Sequence, residues 1–103
     1  MILVNTDYIS GIDIETISIV KGSTIQSKHM GNDITSGLNT LVGGELTAYN
    51  DMMNAARALA TKRMVEEANS FEADGIVNIR YASSAIMQGA AEVIAYGTAV
   101  RFL

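Results

Sequence analysis

The single histidine of the chain, His29, and the nearby carboxylate of Asp33 are its best candidates for metal ligands. Imidazole and carboxylate groups are ordinary ligands for zinc and similar ions. A structural zinc site normally has four ligands, however, and the chain contains no cysteine. The remaining ligands would have to be Asp, Glu, water or residues of neighbouring subunits. The sequence therefore favours an ordinary loop role for His29. The alternative is a site for a divalent or heavy-metal ion, to which several subunits would have to contribute ligands.

Catalytic groups do not assemble anywhere in the sequence. Ser83 and Ser84 lie at the end of a predicted strand, no G-x-S-x-G pattern surrounds a serine, and the acidic residues are dispersed. The segment 21–24 has the residue types of a phosphate-binding loop in the wrong order. We therefore predict that the protein is not an enzyme. The alternative is an active site shared between subunits, which a search of one chain would miss.

Arg57 stands within a run of mostly small residues, 55–60, that permits close approach by another element. Its guanidinium could pair with a carboxylate or carbonyl group across an interface. The alternative is a surface arginine whose stem covers apolar neighbours. Methionines on the same predicted helix are more typical of flexible core filling than of soft-metal ligation; they are Met52, Met53 and Met64.

One long helix is the clearest element of the chain. No glycine or proline occurs between Thr47, the predicted N-cap, and about Glu72. Its apolar side chains recur on one broad stripe, which comprises Tyr49, Met52, Met53, Ala56, Leu59, Ala60, Met64, Ala68 and Phe71. A short helix is predicted to begin at Asn32 or Asp33 and to end at Gly43.

The remaining elements are predicted to be strands. Their β-branched or alternating segments are Ile2–Val4, Thr16–Val20, Ile76 to about Ala85, and Glu92–Leu103. Gly22 is expected to mark a bulge or turn after the second strand. The short separation at Gln88 and Gly89 favours an antiparallel hairpin between the last two strands.

The last strand has two faces of different character. We expect its larger apolar side chains to pack against the long helix; these are Ile94, Tyr96, Val100 and Phe102. The opposite face is mostly small, and it carries Val93, Ala95, Gly97 and Ala99. A glycine inside a strand marks a bulge or the close approach of another backbone or subunit. Gly97 and Ala99 are therefore interface candidates, together with Arg57.

Composition indicates one domain that associates with itself. A chain of 103 residues suits a single α+β domain spanning 1–103. Its hydrophobic share of 49% against 17% charged residues is high for this length, so part of the surface is expected to face another subunit. The net charge of -4, without a basic cluster, argues against nucleic acid. No segment resembles a membrane span or signal peptide, so we expect a cytoplasmic protein without a membrane partner.

Several short motifs, in order along the chain, carry a family resemblance. They are Asn32-Asp33, Leu41-Val42-Gly43-Gly44, Tyr49, Ala56-Arg57 with Ala60, Ala73-Asp74-Gly75-Ile76-Val77, and Gly97-Thr98-Ala99-Val100. Together they resemble the YbjQ-like family of small bacterial proteins over nearly the whole chain. The resemblance implies a dodecin-subunit-like β-α-β-β fold, with an antiparallel sheet of about three strands packed on one long helix and a short helix. It also implies a ring-like homopentamer and a family label of heavy-metal binding.

Two positions depart from the family pattern. Glu72 replaces a glycine at the end of the long helix, and Glu45 replaces a basic residue after the glycine pair. Glu72 weakens the expectation of a left-handed cap at the end of the long helix. Glu45 weakens the expectation of an anion site near Gly43 and Gly44. From residues and resemblance together we expect an oligomeric binding protein that holds a metal ion or small ligand at subunit interfaces. The alternative is a structural or regulatory module that binds another protein without a ligand.

Overall fold

The computed structural model describes residues 1–27 and 44–103, with side chains described from residue 47 in the second range. The short helix predicted between Asn32 and Gly43 lies outside the described residues. Within the described ranges, no helix combines the length and the apolar character that crossing a membrane requires.

The described chain forms one helix packed on a four-stranded sheet, which confirms the predicted α+β class. The strands are β1 (Ile2–Leu3), β2 (Ile14–Ser27), β3 (Gly75–Met87) and β4 (Ala90–Phe102), in the sheet order β1-β3-β4-β2. β2 and β3 each pair antiparallel with β4. β1 pairs in parallel with the start of β3, so the sheet is mixed rather than wholly antiparallel as predicted.

The helix α1 (Gly44–Ser70) lies across β2 and β4. Its buried side chains recur every four residues, because that spacing returns to the same face of a helix; they are Ala56, Ala60, Met64 and Ala68. Tyr49 and Phe71, at the two ends of the predicted stripe, are exposed instead. The central part of the stripe therefore forms the core, and its ends do not.

The predicted facing of β4 is wrong. Val93, Ala95 and Ala99 pack beneath α1, whereas Val100 and Phe102 belong to a separate cluster with Ile9 and Val77. The helix lies so close to the sheet that small side chains fit on the face of β4 beneath it. Both faces of β4 are apolar, so alternation alone could not assign them.

Gly22 shows how close that approach is. A Cβ atom at Gly22 would lie 2.3 Å from the Ala60 carbonyl oxygen and 2.3 Å from the Met64 amide nitrogen. The predicted bulge or turn at Gly22 is wrong, because pairing between β2 and β4 runs without a shift from Ser18 to Ser27. The glycine instead lets the helix backbone contact the strand directly.

Gly97 is opposite a bulge in β3. The β3–β4 register shifts between Val77 and Arg80, so two β3 residues oppose the single residue Gly97. A Cβ atom at Gly97 would lie 2.9 Å from the Val77 carbonyl oxygen. The predicted close approach of another backbone is thus present, and that backbone is β3 of the same chain. Asn78, inside the bulge, has a φ of 56°.

The helix ends in a left-handed cap despite the missing glycine. Glu72 has a φ of 58°. Its N–H donates to the Asn69 carbonyl at 2.9 Å, and the Ala73 N–H donates to the Ala68 carbonyl at 3.1 Å. These two bonds form the Schellman pattern that usually has glycine at this position.

The face of the sheet opposite α1 is only partly covered. The segment before β2 lies over its lower end, where Ile9 is buried against Val77 and Val100. Farther up this face, Ile19 and Ile25 are 69% and 63% exposed. We call the uncovered upper part the open face.

Candidate functional site

Three side chains form a row across the open face. Lys21 of β2 lies opposite Tyr96 of β4, and Tyr96 lies opposite Arg80 of β3. Successive strand residues point to opposite faces, and Val20 and Ala95 are buried on the helix side. The row therefore places an aromatic ring between two cations on the side away from α1.

A depression of about 330 Å³ lies beside this row. Its lining combines hydrogen-bonding groups with apolar surface: Ile19, Asn78, Arg80, Tyr96, Gly97 and Thr98. Along this face of β4 the depression begins at Thr98, and the next residue on the same face, Val100, is covered by the segment before β2. The depression thus lies where that cover ends.

The segment after β1 positions the polar groups of the depression. The Arg80 guanidinium donates from Nη1 to the Asn5 carbonyl at 3.0 Å and to the Ile79 carbonyl at 3.1 Å. The Asn78 N–H donates to the Thr6 carbonyl at 2.8 Å. These hydrogen bonds anchor Arg80 through one nitrogen and leave Nη2 and Nε without a hydrogen bond to another described residue.

The outer edge of β2 is capped by two charged side chains of α1. The Lys21 N–H donates to the Glu67 carboxylate at 2.7 Å, and the Arg63 guanidinium donates to the Ser23 carbonyl at 2.7 Å. Unpaired edge groups are a template for pairing with another strand, and charged side chains are a common protection. Arg63 and Glu67 therefore protect the middle of this edge.

Removing both caps should promote association through β2. We expect the double variant Arg63→Ala/Glu67→Ala to form larger species whose light-scattering mass rises with protein concentration, because two edge groups lose their partners. The matched control is Lys62→Ala/Glu66→Ala, which removes the same charges from exposed positions of the same helix. Equal masses for the two double variants at every concentration would contradict the protective role.

Within residues 1–27 and 44–103, no charged side chain caps the outer edge of β3. The Ile79 N–H points away from β4, since it donates to the Val4 carbonyl at 3.2 Å, and alternation therefore directs the backbone groups of Tyr81, Ser83 and Ala85 away from β4 as well. Among the described residues, these outward N–H and C=O groups have no hydrogen-bond partner. The stretch 81–87 also contains no charged residue and no proline. This is the edge that is open to another strand.

Arg57 lies next to the same edge. It helps to line a small cavity of about 60 Å³ between α1 and β3, together with Met53, Tyr81 and Ser83. Its guanidinium donates to the Asn54 side-chain oxygen, while the Thr61 hydroxyl donates to the Arg57 carbonyl at 2.7 Å. Thr61 and the Tyr81 hydroxyl are 2.8 Å apart, which links α1 to β3.

The other residues named from sequence lie elsewhere. His29 and Asp33 are outside the described residues. Ala99 is fully buried beneath α1, so this fold offers none of its surface to another subunit. Gly97 is also buried, although its backbone borders the depression.

The donor set of the described residues does not fit a metal site within one chain. No group of at least three His, Cys, Asp or Glu side chains comes together among them. The row of Lys21, Tyr96 and Arg80 was not identified from the sequence, because cross-strand register decides which residues are neighbours. The available signal was the alternation around Arg80, which places one face of β3 in solvent.

Comparison with known proteins gives consistent matches over the full chain. A family model described as "Putative heavy-metal-binding" matches residues 1–103. A UPF0145 protein of Alkaliphilus metalliredigens is 73% identical over 100% of both chains. A UPF0145 protein of Methanosarcina acetivorans is 52% identical over 100% of this chain and 98% of its own. A DUF74-family protein of unknown function from Pediococcus pentosaceus has a similar fold, with a TM-score of 0.66 at 13% identity, covering 100% of this chain and 98% of the other.

Proposed function

Because the chain belongs to the YbjQ-like family, whose model is described as "Putative heavy-metal-binding", we propose that it is a homo-oligomeric binding protein. Its subunits associate through the open edge of β3, and a metal ion or small ligand is held where they meet. The assembly we propose is the ring-like pentamer implied by the resemblance. A five-membered ring needs head-to-tail contacts, so the β3 edge of each subunit would contact a different surface of the next subunit rather than its β3 edge.

The edge of β3, which no other described segment pairs beyond β1, carries this proposal. An exposed, neutral edge strand without proline tends to pair with another strand. Tyr81, Ser83 and Ala85 direct their backbone groups outward, whereas the comparable groups of Lys21 and Ser23 on β2 are occupied by α1. The contrast between the two edges supports a second copy at β3, with Arg57 beside the contact.

A metal ion would need ligands from more than one subunit. The described residues of one chain supply no cluster of ligands. A ring repeats each ligand around its axis, so a carboxylate or the single histidine could contribute once per subunit. The metal part of the proposal predicts that zinc, copper or nickel remains with the purified oligomer in native mass spectrometry. Retention of none of these ions would contradict the metal part of the proposal and would leave a small ligand as the bound group.

Blocking the β3 edge should reduce the oligomer to smaller species. We expect Ser83→Pro to lower the light-scattering mass toward that of one chain, 11.0 kDa, because proline removes an outward N–H and places its ring at the edge. The bond to β4 is retained, since the Ser83 N–H points away from that strand.

Ser23→Pro is the matched control for this experiment. Ser23 also directs its N–H outward, but it lies on the capped edge of β2. We expect Ser23→Pro to keep the wild-type mass. Far-ultraviolet circular dichroism checks that both variants are folded. An unchanged mass for folded Ser83→Pro, or a wild-type protein that is already monomeric, would contradict association through β3.

A further inference from the structure

We infer that the depression beside the row of Lys21, Tyr96 and Arg80 binds a small organic anion with a carboxylate and a flat apolar body. This inference rests on the proposed function, because it names the class of ligand for a binding protein. It concerns the open face of the sheet, whereas the proposed association uses the β3 edge.

The local charge of the row favours an anion. The cations of Lys21 and Arg80 stand on either side of Tyr96, about 10 Å apart at their Cα atoms, given the spacing of neighbouring strands. The next rows on this face contain no acid; they are Ser23, Ile94 and Ala82 on one side and Ile19, Thr98 and Val77 on the other. The row thus brings two cations together in a chain whose net charge is -4, with the Glu67 carboxylate at its outer end bonded to the Lys21 N–H.

Arg80 is prepared to bind a carboxylate. Both of its hydrogen bonds use Nη1 and end on backbone carbonyl oxygens rather than on a carboxylate. The guanidinium is therefore held in place while its other nitrogens remain available for a two-bond contact with a carboxylate. Thr98 and Asn78 line the same depression and add polar contacts for the anion.

The apolar lining favours an organic anion over a small inorganic one. Tyr96 offers a partly exposed ring, and Ile19 is 69% exposed at the margin of the depression. A flat apolar body can pack on that ring, and burying apolar surface contributes about 25 cal/mol per Å². The volume of about 330 Å³ matches the lower end of small-molecule sites. A divalent cation is disfavoured here, since the lining contains the positive charge of Arg80 and no carboxylate.

Benzoate is the probe for this site, and ¹H–¹⁵N NMR titration is the measurement. We expect benzoate to shift the signals of the Arg80 side chain and of the Gly97 and Thr98 amides. Benzamide, a neutral analogue, and inorganic phosphate, an anion without an apolar body, are each expected to bind at least about tenfold more weakly, since one charged hydrogen bond or one buried ring contributes enough for that factor. Phosphate or benzamide binding as tight as benzoate would overturn the inference.

Two arginine variants test the assignment. Arg80→Gln is expected to weaken benzoate binding by about tenfold or more, because it removes the fixed charge. Arg101→Gln is the matched control: Arg101 is also exposed and donates to a backbone carbonyl, that of Phe71, at 2.9 Å, but it does not line the depression. Equal benzoate affinity in the two variants would overturn the inference. Lys21→Gln removes the second cation of the row and leaves the hydrogen bond between Arg80 and the Asn5 carbonyl intact. It therefore tests the contribution of the Lys21 charge to benzoate binding.

The light-scattering mass of each sample separates this inference from the proposed function. An oligomer that does not bind benzoate contradicts the inference and leaves association through β3 in place. A monomer in which benzoate shifts Gly97 and Thr98 supports the site and contradicts the proposed assembly.

Discussion

Replacing Gly22 with alanine is expected to lower the free energy of unfolding by at least about 3 kcal/mol, the upper end of the usual cost of overpacking a core. The added methyl carbon would lie 2.3 Å from both the Ala60 carbonyl oxygen and the Met64 amide nitrogen. These atoms belong to the helix backbone, so no side-chain rotation can relieve the overlap. The whole helix must move away from β2, and the core between them must loosen.

Urea denaturation followed by circular dichroism measures this effect. Gly11→Ala is the matched control, because a Cβ atom at Gly11 meets nothing within 4 Å. Gly11 has a φ of 76°, so alanine there should cost only roughly 1–2 kcal/mol of backbone strain. If Gly22→Ala is no more destabilising than Gly11→Ala, the close packing of helix on strand is contradicted.

Truncating Met64 to alanine should cost about 2–5 kcal/mol of stability, the range for a large buried side chain. Met64 is wholly buried and is among the largest of the fully buried side chains. It packs with Val20, Val93 and the alanines of α1, so its removal leaves a cavity beneath the helix. The loss reflects core packing rather than metal ligation.

Two comparisons test this interpretation of Met64. Met52→Ala, a methionine on the same helix that is only partly buried, should cost less than about 1 kcal/mol. A chelator should leave the difference between wild type and Met64→Ala unchanged. A stability difference that disappears on metal removal would indicate that Met64 acts as a ligand instead.

The close packing of α1 explains why the two faces of the sheet differ. Gly22, Ala95 and Ala99 let the helix cover one face with small residues. The larger and charged residues are left on the opposite face, where Tyr96 lies between Lys21 and Arg80. The packing that stabilises the domain thus leaves an exposed polar and aromatic face, on which the proposed anion site is built.

The sequence by itself predicted most elements of the described fold, although β2 runs from Ile14 to Ser27 instead of stopping near Gly22 and the helix begins at Gly44 rather than at Thr47. The long stripe of α1, the hairpin at Gln88 and Gly89, and the α+β class follow from local periodicity and turn residues, which act over a few neighbouring positions. The burial of Met64 was likewise predictable, because it lies on that stripe and away from its ends. These features depend little on how distant segments meet.

Only the tertiary structure decided which faces and residues come together. Val93 and Ala95 rather than Ile94 and Tyr96 lie under α1, because helix-to-sheet distance, set by Gly22, overrides side-chain size. The role of Gly97 depends on a bulge in another strand. The row of Lys21, Tyr96 and Arg80 depends on register across three strands. The β2 edge is capped and the β3 edge is not, because of where α1 places Arg63 and Glu67. Each involves residues far apart in the chain, whose spacing no local pattern records.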